Sequence, residues 1–318
     1  CFIILVFLLG TLDTTSSVTY ADYMKRFQPN LLNALYLGES LTSLLPSILA
    51  SIQGIGGEAI CRENSTQPEY STPRFSVQVY FWIFVALIIL SLIAFIILEF
   101  SSIPKRYRTL FSYQSSDIGR SDEIAMPPDT IIINRRSEFS MTKKYYYSLL
   151  VISFLSSIIL FGVLPAIGTY AVLPYSQRAY FVSSIVLPIA NPLSVLIGLV
   201  VRHILNFITI SILFVVAFIL SIYVMIVAFL SPCPPLHDTV GGGILIISCY
   251  FCSHLILYYI RLVIGNRIRQ EYRHESGLFW LGASSQMGTL LGAIPMFLLV
   301  NVYEVFESRY ACQDYCRE

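Results

Sequence analysis

Val77 to Leu98 reads VQVYFWIFVALIILSLIAFIIL and contains no charged residue. A helix takes about 20 residues to cross the roughly 30 Å hydrocarbon core of a bilayer. This run meets that length, and about seven further apolar runs of similar length follow one another along the chain. In hydrocarbon each backbone N–H and C=O must be satisfied within its own segment, so runs of this kind span as helices. The fold class is an all-α polytopic membrane protein with about eight transmembrane helices. The composition agrees: 12% of residues are charged and 56% hydrophobic, against about 25% charged in soluble domains. Net charge is only +1, which gives no reason to expect a nucleic-acid partner; the partner that the composition implies is the lipid bilayer.

Hydropathy windows predict spans near 1–20, 31–53, 77–99, 146–170, 180–201, 205–230, 242–264 and 278–302. The opening CFIILVFLLG has no positively charged n-region and reads as part of a membrane helix, not as a cleaved signal peptide. Pro188 and Pro192 predict that the 180–201 span is interrupted and behaves as two half-helices. Arg202, His203 and Asn206 then form a tight turn to the next span.

The connectors on one side of these spans carry 15 of the 20 Lys and Arg residues. They include Lys25, Arg26, Lys105, Arg106, Arg108, Arg135, Arg136, Lys143, Lys144, Arg261, Arg267 and Arg269. The other side has Arg62, Arg74, Arg178, Arg309 and Arg317. The Lys/Arg-rich side is cytoplasmic by the positive-inside rule, which puts the C-terminus outside. Asn64-Ser65-Thr66 is a glycosylation sequon at Asn64, in a connector assigned outside. Cys61, Cys233, Cys312 and Cys316 lie on the same side, where disulfides persist. Three pairings are open to them, and the expected ones join Cys233 to Cys312 or Cys316, tying the Ser231-Pro232-Cys233-Pro234 loop to the tail. Cys249 and Cys252 read as apolar filler within a span.

The organisation that follows has four parts. Residues 1–100 form three helices, the first of them shortened. Residues 101–144 form a basic cytoplasmic linker, mostly disordered, with Pro127-Pro128 and no sustained apolar period. Residues 145–302 form a five-helix bundle, and 303–318 an extracellular tail containing cysteine.

Metalloprotease, P-loop and nucleophile-elbow motifs are all missing, so the sequence points to neither an enzyme nor a metal or cofactor site. Polar groups at membrane depth are the informative ones, because each is expensive unless it faces a cavity or a partner. Glu39, a third of the way along its span, reads as the wall of a polar cavity. Asn191 stands between the two prolines whose missing donors loosen the backbone. Gln286 sits mid-span, displaced from a small-residue face formed by Ser284, Gly288 and Gly292 that is expected to pack tightly on another helix. Asp13, beside the polar stretch TTSSVT, and His254 are, with Glu39, the groups that could exchange a proton at membrane depth.

In order along the chain come Thr15-Ser16-Ser17-Val18-Thr19-Tyr20, Gly38-Glu39-x-Leu41-x-x-Leu44-Leu45-Pro46, Gly162-x-Leu164-Pro165, Ala190-Asn191-Pro192-Leu193 and Ser231-Pro232-Cys233-Pro234. Leu281-Gly282-Ala283 follows, leading through Gln286-x-Gly288 to Gly292-Ala293. In this order and on these spans the chain resembles the riboflavin transporter family of solute carriers. The resemblance implies eleven helices in two bundles, like those of major-facilitator and equilibrative nucleoside carriers, with this chain starting in the fourth. It also implies alternating access at the plasma membrane, riboflavin as substrate, no cofactor, and a disulfide from the Ser-Pro-Cys-Pro loop to the tail. On this reading Gln286 and Asn191 pair with the uracil-like edge of the flavin, and Glu39 accepts from hydroxyls or the ring N–H. One departure stands out: relatives often have a Thr and a polar amide before the Gly-x-Leu-Pro block, where this chain has Leu160 and Phe161. A carrier of the same architecture for a nucleoside or another vitamin is the alternative, and a membrane receptor a weaker one.

Overall fold

The computed structural model describes residues 10–12, 14–16, 18–20, 23, 31–54, 72–100, 141–200, 206–237, 239–272, 276–309 and 316. Among these, seven helices are long and apolar enough to cross a membrane. We number them α1 (Leu31–Gln53), α2 (Val77–Phe100), α3 (Lys143–Val172), α4 (Gln177–Val200), α5 (Phe207–Phe229), α6 (Val240–Glu271) and α7 (Gly277–Val302). Of the expected span near 1–20, the described pieces are helical. The linker 101–140, Cys61, Asn64, Cys312, the 202–203 part of the tight turn and Asp13 lie outside the described residues.

Proline shapes three of the helices. In α3, Pro165 has no N–H to give to the carbonyl four residues back, and the turn before it, Ile158–Val163, widens to π-helix. There the Leu164 N–H reaches the Ile159 carbonyl. In α4, Gln177–Val186 gives way to a 3-10 turn at Leu187–Ile189 and resumes at Ala190, so the expected interruption is present as a change of pitch within one span. In α7, Pro295 precedes a second π-turn at Leu298–Val302.

Helix α6 is the centre of the C-terminal set, packing against α5 along one side and α4 along another. Helix α7 lies along the first half of α3, and the end of α3 packs on α5. One core cluster gathers Leu164, Ile167, Ala171, Val224, Ala228, Ile246 and Leu257. A second gathers Tyr146, Leu149, Ile152, Ile210, Ile264, Ile268 and Leu278. In lipid the hydrophobic effect does not hold helices together, so close packing and interhelical hydrogen bonds must. The α3–α7 seam has both. A Cβ at Gly162 would stand 2.5 Å from Gly292 Cα, and one at Gly292 would stand 2.6 Å from the Ile158 carbonyl oxygen. Beside them the Ser157 and Ser285 hydroxyls meet at 2.7 Å. Helix α2, by contrast, has no buried residue and touches its neighbours at few points, Tyr80 on the Pro46 carbonyl among them.

Three expectations are corrected. The buried face of α7 runs through Leu281, Ser285, Gly288 and Gly292, because at 100° per residue Ser285 falls nearer the Gly288–Gly292 stripe than Ser284. Ser284 instead donates to the Leu281 carbonyl of its own helix. Lys143 and Lys144 form the first turn of α3 and not the end of a linker. Helix α6 extends to Glu271 and is 32 residues long, so Arg261, Arg267 and Arg269 are helical residues and not connector residues.

At the other end of the bundle the 231–239 loop is fastened to the tail. Cys233 and Cys316 form a disulfide, and Ser231 Oγ donates to the Glu307 carbonyl at 2.6 Å. Tyr175, between α3 and α4, donates to the Pro235 carbonyl at 3.1 Å. Burial pushes its hydroxyl up to about 12, so it stays a donor at any physiological pH.

Candidate functional site

Three contacts join α1 to α6 in antiparallel order. The Asn266 amide donates to the Asn33 carbonyl oxygen at 2.8 Å. The Tyr36 ring lies against Gly265, where any Cβ would collide with its hydroxyl end. Arg261 donates to Glu39 Oε1 at 2.7 Å as an ion pair. The six steps from Asn33 to Glu39 and the five from Asn266 to Arg261 cover about 9 and 7.5 Å of helix at 1.5 Å per step, close enough for the pairs to stay in step.

Arg261 is the node of this cluster. Its guanidinium carbon lies 5.3 Å from the centre of the Phe161 ring and 5.9 Å from that of Tyr36, within reach of an aromatic face. Phe161 in turn meets Tyr258 edge-on at 6.0 Å. The π-turn of α3 carries Phe161, and π-turns in α-helices are frequent at functional sites. The Arg261 side chain is 18% exposed and that of Glu39 39%, so the pair lies at the border of the packed region. A single carboxylate oxygen accepts from Arg261, and its remaining N–H donors make no hydrogen bond to a described residue.

Of the expected site residues, Glu39 is held by Arg261. Asn191 lies at the start of the second half of α4, and its carbonyl accepts from Ser194 Oγ at 2.6 Å. The side-chain amides of Asn191 and Gln286 are half-buried and make no hydrogen bond to a described residue. Helix α1 packs on α4, which brings the helices of Glu39 and Asn191 into contact. Gln286 lies one turn beyond Gly282, on the side of α7 where a Cβ would stand 3.4 Å from Val18 Cα. That side therefore turns toward the Thr/Ser-rich N-terminal segment. No hydrogen bond links Glu39, Asn191 and Gln286 to one another.

His254 is buried, and its Nδ1 is 3.0 Å from the Tyr250 carbonyl of its own helix. Its ring lies between those of Tyr250 and Tyr258. Tyr250 donates to the Leu164 carbonyl at 2.6 Å, which satisfies the backbone beside the π-turn.

Sequence reasoning missed Arg261, Asn266 and Asn33 as members of a site. A signal was present for Arg261: it stands alone between Tyr-Tyr-Ile and Leu-Val-Ile-Gly, apolar on both sides, unlike the clustered basic residues of a connector. Leu160 and Phe161, paired as departures in the sequence, part company in the fold. Leu160 is 2% exposed inside the core, and Phe161 faces the Arg261 cluster.

A family profile described as solute carrier family 52, riboflavin transporter, matches residues 1–308. The chain is 30% identical to riboflavin transporter 2 of Salmo salar over 99% of its own length and 76% of that protein. It is 30% identical to a riboflavin transporter of Caenorhabditis elegans, over 98% of the chain and 74% of that protein. It is 28% identical to member 1 of the family in Homo sapiens, over 99% and 74%. No solved structure matches it.

Proposed function

The chain belongs to the riboflavin transporter family of solute carriers, and on that premise we propose that it is a facilitative carrier of riboflavin that works by alternating access at the plasma membrane. The observation that carries this reading is a family match running through all seven described spans, from residue 1 to residue 308. Riboflavin has an apolar ring face, a donor/acceptor edge resembling uracil, and a flexible chain of hydroxyls. In this proposal the amides of Asn191 and Gln286 pair with the edge, Glu39 accepts from hydroxyls or the ring N–H, and aromatic rings such as Phe161 stack on the flavin. The Lys/Arg-rich connectors face the cytoplasm, and the Cys233–Cys316 loop, the tail and a glycosylated Asn64 face outward. The two helix sets, 1–100 and 143–302, rock against each other. Membership in a transporter family calls for no catalytic step and no cofactor.

The test is uptake of labelled riboflavin by cells expressing the protein from its complete coding sequence. Saturable uptake blocked by riboflavin and lumiflavin but not by uridine supports the reading. Uptake of uridine in place of riboflavin at normal surface expression overturns the substrate and keeps the carrier.

A further inference from the structure

The hydrogen bonds of α1 are distributed unevenly along its length. Toward its Gln53 end they go to the segment leading into α2 and to α2 itself: Gln53 to the Phe75 carbonyl, Arg74 to the Ile52 carbonyl, and Tyr80 to the Pro46 carbonyl. All of these stay within residues 31–100. In its first three turns they go across to α6, through Asn33–Asn266 and Glu39–Arg261. Both crossing pairs are side chain to side chain, and neither is deeply buried. Within the C-terminal set the contacts are of another kind. Gly162 and Gly292 bring backbone against backbone, and Tyr250 and Tyr146 lock onto the carbonyls of Leu164 and Gly277. The C-terminal helices are thus packed backbone to backbone, whereas α1 is held to α6 by two side-chain hydrogen-bonded pairs and the Tyr36–Gly265 contact, beside its packing on α4.

We infer that Glu39–Arg261 and Asn33–Asn266 form a two-point latch between α1 and α6 that must part for the carrier to open at that end. The inference rests on the alternating-access reading above and adds to it the residues of one gate. In the orientation proposed there, the latch closes the cytoplasmic side, with Phe161 and Tyr36 flanking the Arg261 guanidinium as its lining. Arg261 engages Glu39 through Oε1 alone, so with the latch closed Oε2 is the oxygen left to accept from a solute.

The experiment introduces N33C and N266C together in the protein expressed from its complete coding sequence, with the free Cys249 and Cys252 replaced by alanine. Riboflavin uptake is measured reduced, after bridging with a short bis-methanethiosulfonate, and after reductant. The latch predicts at least a ten-fold loss of uptake on bridging, full recovery on reduction, and no loss in either single-cysteine variant. Undiminished uptake by the bridged protein overturns it. If the double-cysteine protein does not reach the surface, E39R with R261E replaces it in an N33C background: the single changes should speed alkylation of N33C by an impermeant maleimide in inside-out vesicles at least five-fold, and the exchanged pair should reverse most of that gain. An exchanged pair labelled as fast as the singles overturns the latch. Absence of riboflavin uptake by the unmodified protein counts against the transport reading alone. The latch is then judged by alkylation of N33C with an impermeant maleimide in inside-out vesicles, where slow progressive labelling supports it and permanent protection overturns it.

Discussion

Arg261 donates to Glu39 across 222 positions of sequence, at 2.7 Å, and among the described residues this pair is the charged contact that ties α1 to the C-terminal helices. A charge-assisted hydrogen bond contributes about 1.5–3 kcal/mol, and an amide pair such as Asn33–Asn266 about 0.5–1.5 kcal/mol. Together they reach a few kcal/mol, the size of gap that separates two populated conformations of one protein. That is enough to bias such an equilibrium and too little to freeze it.

A double-mutant cycle should find the coupling. E39Q and R261Q are each expected to lower the thermal stability of the purified protein, and the double variant to lose less than their sum, with a coupling of about 1.5–3 kcal/mol. Additive losses would mean that the two groups act separately.

The α3–α7 seam has no room for a methyl group. G162A and G292A should each destabilise by about 1–3 kcal/mol through overpacking and lower surface expression. G241A, where an added Cβ meets nothing within 4 Å, serves as the control and should be close to neutral. Equal behaviour of the three variants would show that the seam is looser than described.

Cys233 and Cys316 are 83 positions apart in sequence, and closing a loop of that length should stabilise the fold by about 2–4 kcal/mol. C233S, C316S and the double variant should therefore fall in melting temperature by the same amount, and reductant should shift the unmodified protein to the same value. A double variant clearly worse than either single would show that the cysteines do not act as one bond.

Phe161 faces Arg261, and a cation over a ring contributes about 0.5–2 kcal/mol. F161A should raise the riboflavin KM several-fold with surface expression unchanged. L160A, which opens a cavity in the core, should lower expression and stability first, by about 2–5 kcal/mol. The split between KM and expression is the readout, and identical effects of the two changes would remove Phe161 from the pathway.

His254 has Nδ1 committed to the Tyr250 carbonyl and aromatic rings on two sides. H254Q is expected to leave the dependence of uptake on pH unchanged between about 5.5 and 8, the range around ordinary histidine titration. A flattened profile in this variant would make His254 a proton-coupling group.

Much of the bundle was legible in the sequence because hydrocarbon allows one backbone solution. Seven expected spans match described helices, the break at Pro188 is where two prolines place it, and the Cys233 pairing falls within the expected alternatives. The site was less legible. Glu39 was marked by its cost at membrane depth, but a cost does not name a partner. Arg261 was counted with the connector residues although it falls inside the expected 242–264 span, and α6 continues past it to Glu271. Ser285 replaced Ser284 on the packing face because the choice between adjacent residues depends on helix rotation, which hydropathy does not report.

The sequence alone determined that this chain spans a membrane as a set of helices, where those helices break, and which family it belongs to. These follow from local properties: apolar length, proline chemistry, and motifs in a fixed order. Only the tertiary structure decided that Glu39 meets Arg261, that Phe161 and not Leu160 joins them, and that Gly162 and Gly292 let two backbones touch. Those contacts depend on the rotation and depth of one helix against another, set by packing among residues far apart in the chain.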